Sequence, residues 1–211
     1  MSYMPTSVVH VAIYPTWADW EAGYLMSRIN SSTWQAHPGR FAVKTVADTL
    51  DPVTTMGGLR LFPDLTFDQL EPTDSALLVL PGADVWDTDP AANEQALRAA
   101  RVFLAAGVPV AAICGATAGL ARAGLLDDRA HTSSAREYLL YGTGYAGGDL
   151  YRDDPVVVDQ GLITAGPTHP VEFARAVFDE LGVFTPEVLD AWYRLFGEHD
   201  PSAYAVLAGS V

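Results

Sequence analysis

The sequence predicts a doubly wound α/β fold, with a mainly parallel sheet covered by helices on both faces. Three observations carry this. Short, continuous apolar runs recur along the chain: VVHVAIY, FAVKTVA, ALLVL and VAAI. Such runs read as strands buried on both faces, the pattern of parallel sheets. Helically spaced segments lie between them, and that alternation indicates an open sheet. Finally, 49% of the 211 residues are apolar, enough for one large core, so a single domain over 1–211 is expected.

Val8 to Tyr14 is the first strand. ADWEAGYLMSRIN then has helical spacing, Trp20 to Tyr24 and Leu25 to Ile29, with Asp19 as the helix-start acid. Phe41 to Ala47 is the second strand. VTTMGGLRL reads as a hairpin around Gly57-Gly58, because both residues tolerate positive φ. Ala76 to Leu80 is a buried strand stopped by Pro81-Gly82. Asp89-Pro90 opens a helix with Asp as N-cap and Pro at its first position, and Gly107 and Pro109 close it. Val110 to Ile113 is the strand before Cys114. VVV (156–158) and LIT (162–164) are late strands. Val171, Ala174, Phe178 and Leu181 mark a helix from Pro170 to just before Gly182, and Thr185-Pro186 opens the last one. The tail 198–211 is small and polar and is expected to be irregular.

Charge narrows the partners. The formal net charge is −14, and the only lysine is Lys44, which disfavours nucleic acid and anionic membranes. One cysteine makes no internal disulfide and fits a reducing, cytoplasmic setting. MSYMPTS shows no signal-peptide pattern, and no apolar run is membrane-length.

Cys114 carries the chemistry. Free cysteine often merely packs in a core. Here it stands where a buried strand becomes the small-residue helix GATAGLA. In α/β sheets, ligand sites collect beyond the carboxyl ends of strands. A helix N-terminus there offers unpaired N–H groups and a positive dipole end, both favouring thiolate. No serine elbow, phosphate loop, dinucleotide fingerprint or metal-ligand spacing is present, so no cofactor and no metal are expected.

Four stretches in this order resemble the ThiJ/PfpI superfamily, with its class I glutamine amidotransferase-like fold: ADWEAGYL, LLVLPGADVW, AICGATAGLARAGLLDDR and LITAGPTHPVEFARAVFDEL. The resemblance covers Val8 to about Phe196. It implies a flavodoxin-like three-layer sandwich with a nucleophile elbow and a homodimer, for which the hairpin at Gly57-Gly58 offers an edge. It makes Cys114 the nucleophile, Glu21 the acid bonded to its sulfur, and Gly82, Ala83 and Gly115 the oxyanion or substrate-binding turn. The pattern departs at Gly115, where many members have histidine, and at Thr117, where many have proline. Ala112 and Ala116 replace the glycines of the amidotransferase elbow, which counts against glutaminase chemistry.

A base is less obvious. His10 lies inside a strand, and His37 and His199 lie in polar connections. His131 and His169 both remain candidates to assist the thiol, and Ser133 aligns with the family's histidine segment. His169 also precedes Pro170 and so suits a helix cap. Glu21 is expected to stay protonated near neutrality, raised by burial against Trp17 or Trp20, and to donate to an unusually acidic thiol.

These readings imply a cysteine-dependent hydrolase or lyase acting on a small carbonyl-like or related electrophile, with glyoxalase-, deglycase- or hydratase-like chemistry. Three alternatives stay open: an oxidative-stress or redox sensor using Cys114, a ligand-binding regulator, and an amidotransferase-like protein without glutaminase activity.

Overall fold

The computed structural model describes residues 7–141 and 144–210. The N-terminal segment read for a signal peptide lies largely outside them, at residues 1–6.

In chain order, β1 (Ser7–Ala12), α1 (Gly23–Asn30) and β2 (Phe41–Ala47) form the first unit. A hairpin of β3 (Val53–Thr54) and β4 (Arg60–Leu61) follows, then β5 (Leu65–Thr66) and β6 (Ser75–Leu80). Next come α2 (Val85–Thr88), α3 (Glu94–Ala105), β7 (Val110–Ile113), α4 (Gly115–Arg122) and α5 (Arg136–Leu140). The chain ends with β8 (Val156–Asp159), β9 (Leu162–Ala165), α6 (Pro170–Leu181), α7 (Pro186–Phe196) and α8 (Tyr204–Gly209).

Seven strands form one sheet in the order β5-β2-β1-β6-β7-β9-β8. All pairs are parallel except β8 with β9. That pair is joined by Gln160 and Gly161, both at positive φ (48° and 75°), the conformation a two-residue hairpin turn requires. Every residue of β7 is fully buried, as are Leu77 to Leu80 of β6. These central strands have helices on both sides, which is why they read as unbroken apolar runs. Among the described residues no helix is long and apolar enough to cross a membrane.

Three differences from the sequence reading have physical reasons. The first helix starts at Gly23, not near Asp19, because the preceding segment is tied to the turn after β6: Trp17 bridges Ala83, and the Ala18 N–H donates to the Gly82 carbonyl at 2.9 Å. Asp19 is therefore no N-cap. It accepts from the Gly57 N–H at 2.6 Å and pins the hairpin instead. Asp89 makes no side-chain cap bond; Pro90–Asn93 form a 3-10 turn and α3 begins at Glu94.

The tail is not irregular. Asp200 accepts from the Ser202 N–H at 2.9 Å, pairs with Arg194 and starts a turn that leads into α8. Leu207 and Ala203 are buried. A six-residue helix is marginal alone and takes its stability from docking, so its sequence carries too short a period to read. Nearby, Phe178 and Trp192 cross edge-to-face at 5.1 Å, binding α6 to α7.

Candidate active site

The carboxyl ends of β1, β6, β7 and β9 meet at one edge of the sheet. Cys114 directly follows β7, and its backbone sits at φ 58°, ψ −128° as the cap residue of α4. A non-glycine residue is strained there, and such strain recurs at presented nucleophiles. The strain is held in place. The Cys114 N–H donates to the Ala165 carbonyl at 3.1 Å. Its carbonyl accepts from the Thr117 N–H at 3.0 Å and from Thr117 Oγ1 at 2.6 Å. Thr117 Oγ1 also bonds Ser133 Oγ at 2.6 Å. The threonine that departs from the family's proline thus clamps the elbow by hydrogen bonding.

Gly115 has a similar explanation. A Cβ there would meet Trp86 Cβ at 3.1 Å, and one at Gly119 would meet Trp86 Cζ3 at 2.3 Å. The fully buried Trp86 therefore occupies the space that a side chain after the cysteine would need. Its indole N–H donates to the Pro81 carbonyl at 3.0 Å, and Tyr14 donates its hydroxyl to the same oxygen. The two donors fix the Pro81-Gly82-Ala83 turn.

Glu21 is fully buried. Its Oε2 accepts from the Gly82 N–H at 2.5 Å. The thiol of Cys114 lies within hydrogen-bonding reach of the same carboxyl. That contact is looser than a well-formed bond, since Glu21 Oε1 is buried with no partner of good geometry. A Cβ on Gly82 would sit 2.8 Å from Cys114 Cβ and 2.8 Å from Glu21 Oε2, so only glycine lets the two approach.

Burial pushes Glu21 up to about 7, against the downward pull of the Gly82 amide and the thiol. Burial, then the Glu21 charge, push Cys114 up to about 12, opposed by the Gly115 N–H and the Ser134 hydroxyl. The expectation of an unusually acidic thiol is therefore corrected. Desolvation and an adjacent carboxylate outweigh the helix N-terminus, and the resting thiol keeps its proton. Of the two tryptophans expected to bury Glu21, Trp17 is buried and Trp20 is half exposed.

Of the residues expected in the site, Cys114, Glu21, Gly82, Ala83 and Gly115 come together. The Gly82 N–H is taken by Glu21, so Gly82 is not an oxyanion donor. Among the described residues, no hydrogen bond is donated by the Ala83 N–H, and the Gly115 N–H lies in the first helical turn beside the sulfur. His131 is fully buried between the Arg129 carbonyl (2.8 Å) and Tyr145 Oη (2.7 Å). It is a packing residue. His169 bonds Thr168 at 3.3 Å and makes no hydrogen bond with Cys114; it stands at the N-cap position of α6, as its place before Pro170 suggested, without a side-chain cap bond. Sequence reasoning missed Ser134, whose hydroxyl lies near enough to the thiol to lower its pKa, while its neighbour Ser133 bonds Thr117. Nothing local distinguishes the two serines; the bend of the backbone does. Among the described residues no group of three or more His, Cys, Asp or Glu side chains is arranged to hold a metal ion.

A doubly wound sheet with a strained cysteine elbow and a buried carboxyl beside it defines a class of cysteine-bearing α/β proteins. The sequence model of the DJ-1/PfpI family matches residues 7–180, and the chain belongs to that family. It is 35% identical over 210 residues to the Bacillus subtilis (strain 168) protein named "Uncharacterized protease YoaZ", covering 99% of both chains. It is 33% identical over 180 residues to "Uncharacterized protease YdeA" of the same strain, covering 84% of this chain and 85% of that one. The thiJ/pfpI family protein from Bacillus anthracis superposes with a TM-score of 0.90 at 37% identity, over 100% of this chain and 99% of that one. A DJ-1 superfamily protein from Agrobacterium tumefaciens gives 0.82 at 32% identity, over 92% and 100%.

Proposed function

We propose that the protein is a cysteine-dependent enzyme acting on a small carbonyl-like electrophile. The carrying observation is the approach of Glu21 and Cys114 across Gly82, beside two backbone N–H groups. A carboxylate near pH 7 suits a general base at neutral pH, and a thiol that keeps its proton needs one. Glu21 takes the thiol proton as sulfur adds to the carbonyl carbon. The carbonyl π pair moves to oxygen, which the Ala83 and Gly115 N–H groups stabilise. Glu21 then returns the proton to that oxygen, giving a hemithioacetal from an aldehyde.

The test is turnover of methylglyoxal and other aldehydes, amides, isocyanides and a peptide by wild type and Cys114→Ser. Loss of an aldehyde or amide turnover in the variant supports the reading. Peptide cleavage alone would move it towards the protease in the relatives' names, although no histidine hydrogen-bonds Cys114 among the described residues. No turnover, with Cys114 oxidised to sulfinate by two hydrogen peroxides, each reduced to water, would favour the redox-sensor reading. The part-exposed thiol and the Gly115 and Ser134 donors suit that reading.

The functional unit under this reading is a homodimer through the hairpin, whose Met56, Leu59 and Phe62 are exposed. A monomer by light scattering at micromolar concentration would overturn that part.

A further inference from the structure

A second cleft opens at the carboxyl ends of β1 and β2, the edge at which open α/β sheets place ligands. Its volume is about 470 Å³, and Cys114 does not line it. Ile13, Val53 and Phe67 supply buried apolar walls. Asp48 and Asp51 stand at its rim, and no Lys, Arg or His lines it. Burial raises Asp48 above the usual carboxylate range. The acidic rim therefore opposes an anion, and the buried apolar walls suit a ring.

Asn93 also lines this cleft. It is 2% exposed, and neither its carboxamide nitrogen nor its oxygen has a hydrogen-bond partner. It occupies the cap position of α3 yet caps nothing. Buried amides in folded proteins are almost always paired. A change of χ1 from one staggered well to another would swing the whole carboxamide from the core towards the cleft. A ligand with a donor and an acceptor on one edge would pair with them reciprocally.

We propose that this cleft is a binding site for a small, uncharged, planar molecule carrying a carboxamide-type edge, with Asn93 pairing that edge. The site is separate from the cysteine chemistry. It adjoins it through Tyr14, which lines the cleft and whose hydroxyl bonds Pro81.

Benzamide and benzoate have the same shape and differ in charge and in donors, so they are the probes. Each is titrated into the full chain and followed by amide chemical shifts. Benzamide should shift residues 13–15, 47–54 and 92–93 saturably, and benzoate should bind at least about tenfold more weakly. Asn93→Leu should weaken benzamide by at least about tenfold. Thr54→Trp, which fills the cleft from its rim, should abolish binding while leaving Asn93 in place. Cys114→Ser should keep it, which separates this test from that of the catalytic reading. No saturable binding, equal binding of the two probes, retained binding in Asn93→Leu or Thr54→Trp, loss in Cys114→Ser, or shifts centred on Cys114 would each overturn the proposal.

Discussion

Glu21 Oε2 accepts from the Gly82 N–H at an N···O distance of 2.5 Å, so the acid that meets the thiol also fastens the turn after β6. One side chain thereby links the ends of two strands, removes Gly82 from the oxyanion donors and leaves Ala83 and Gly115 in that role. Its protonation state should control both reactivity and stability.

Alkylation of Cys114 by iodoacetamide should rise with pH through about 7, as Glu21 becomes the base that takes the thiol proton. Glu21→Gln should abolish that limb. The same change removes a negative charge beside the sulfur, so the remaining limb should lie below about 12, yet above an ordinary thiol, because burial persists. Superimposable wild-type and Gln profiles would mean that Glu21 does not act on the thiol.

Folding stability should carry two opposed slopes. Glu21 is raised from 4.5 to about 7 by burial, so its contribution is fully present below about pH 4.5 and is lost as pH rises through 7. That loss is about 3 kcal/mol. His10 is buried beside Lys44 and lowered from 6.5 to about 4, so its contribution is present above 6.5 and is lost as pH falls through 4. Relative to wild type, Glu21→Gln should be stabilised progressively from pH 4.5 to 7, and His10→Gln should be stabilised as pH falls below 6.5. Urea midpoints across this range measure both; parallel curves for all three proteins would exclude the linkage.

Gly82→Ala should damage the site without backbone strain, since Gly82 lies outside the left-handed region. The new Cβ would meet Cys114 Cβ and Glu21 Oε2 at 2.8 Å each. Overpacking of this kind costs about 1–3 kcal/mol. The pH 7 limb of alkylation should vanish along with the stability. Unchanged alkylation would show that the two side chains do not need this approach.

Backbone strain at Cys114 has its own test. At φ 58°, ψ −128° glycine is at ease and alanine is not. Cys114→Gly should therefore be more stable than Cys114→Ala by about 1–3 kcal/mol. Equal unfolding midpoints would mean that the elbow relaxes once the thiol is gone.

The sequence by itself determined the sheet and its helices. Ala111, Ala112 and Ile113 sit on both faces of a central strand, and Pro170 and Gly182 bracket a helix by backbone chemistry that needs no distant partner. It also marked Cys114, because a lone thiol between a buried run and a small-residue helix is a local pattern. Long-range contacts decided the rest. Only packing could show that Trp86 fills the space beside Gly115, that Asp19 serves the hairpin and not a helix, and that Ser134 reaches the sulfur where His131 and His169 do not. The protonation of the pair is the clearest case. Helix position favours a thiolate, but burial and the neighbouring carboxylate act more strongly in the other direction, and both exist only once β1, β6 and β7 are assembled.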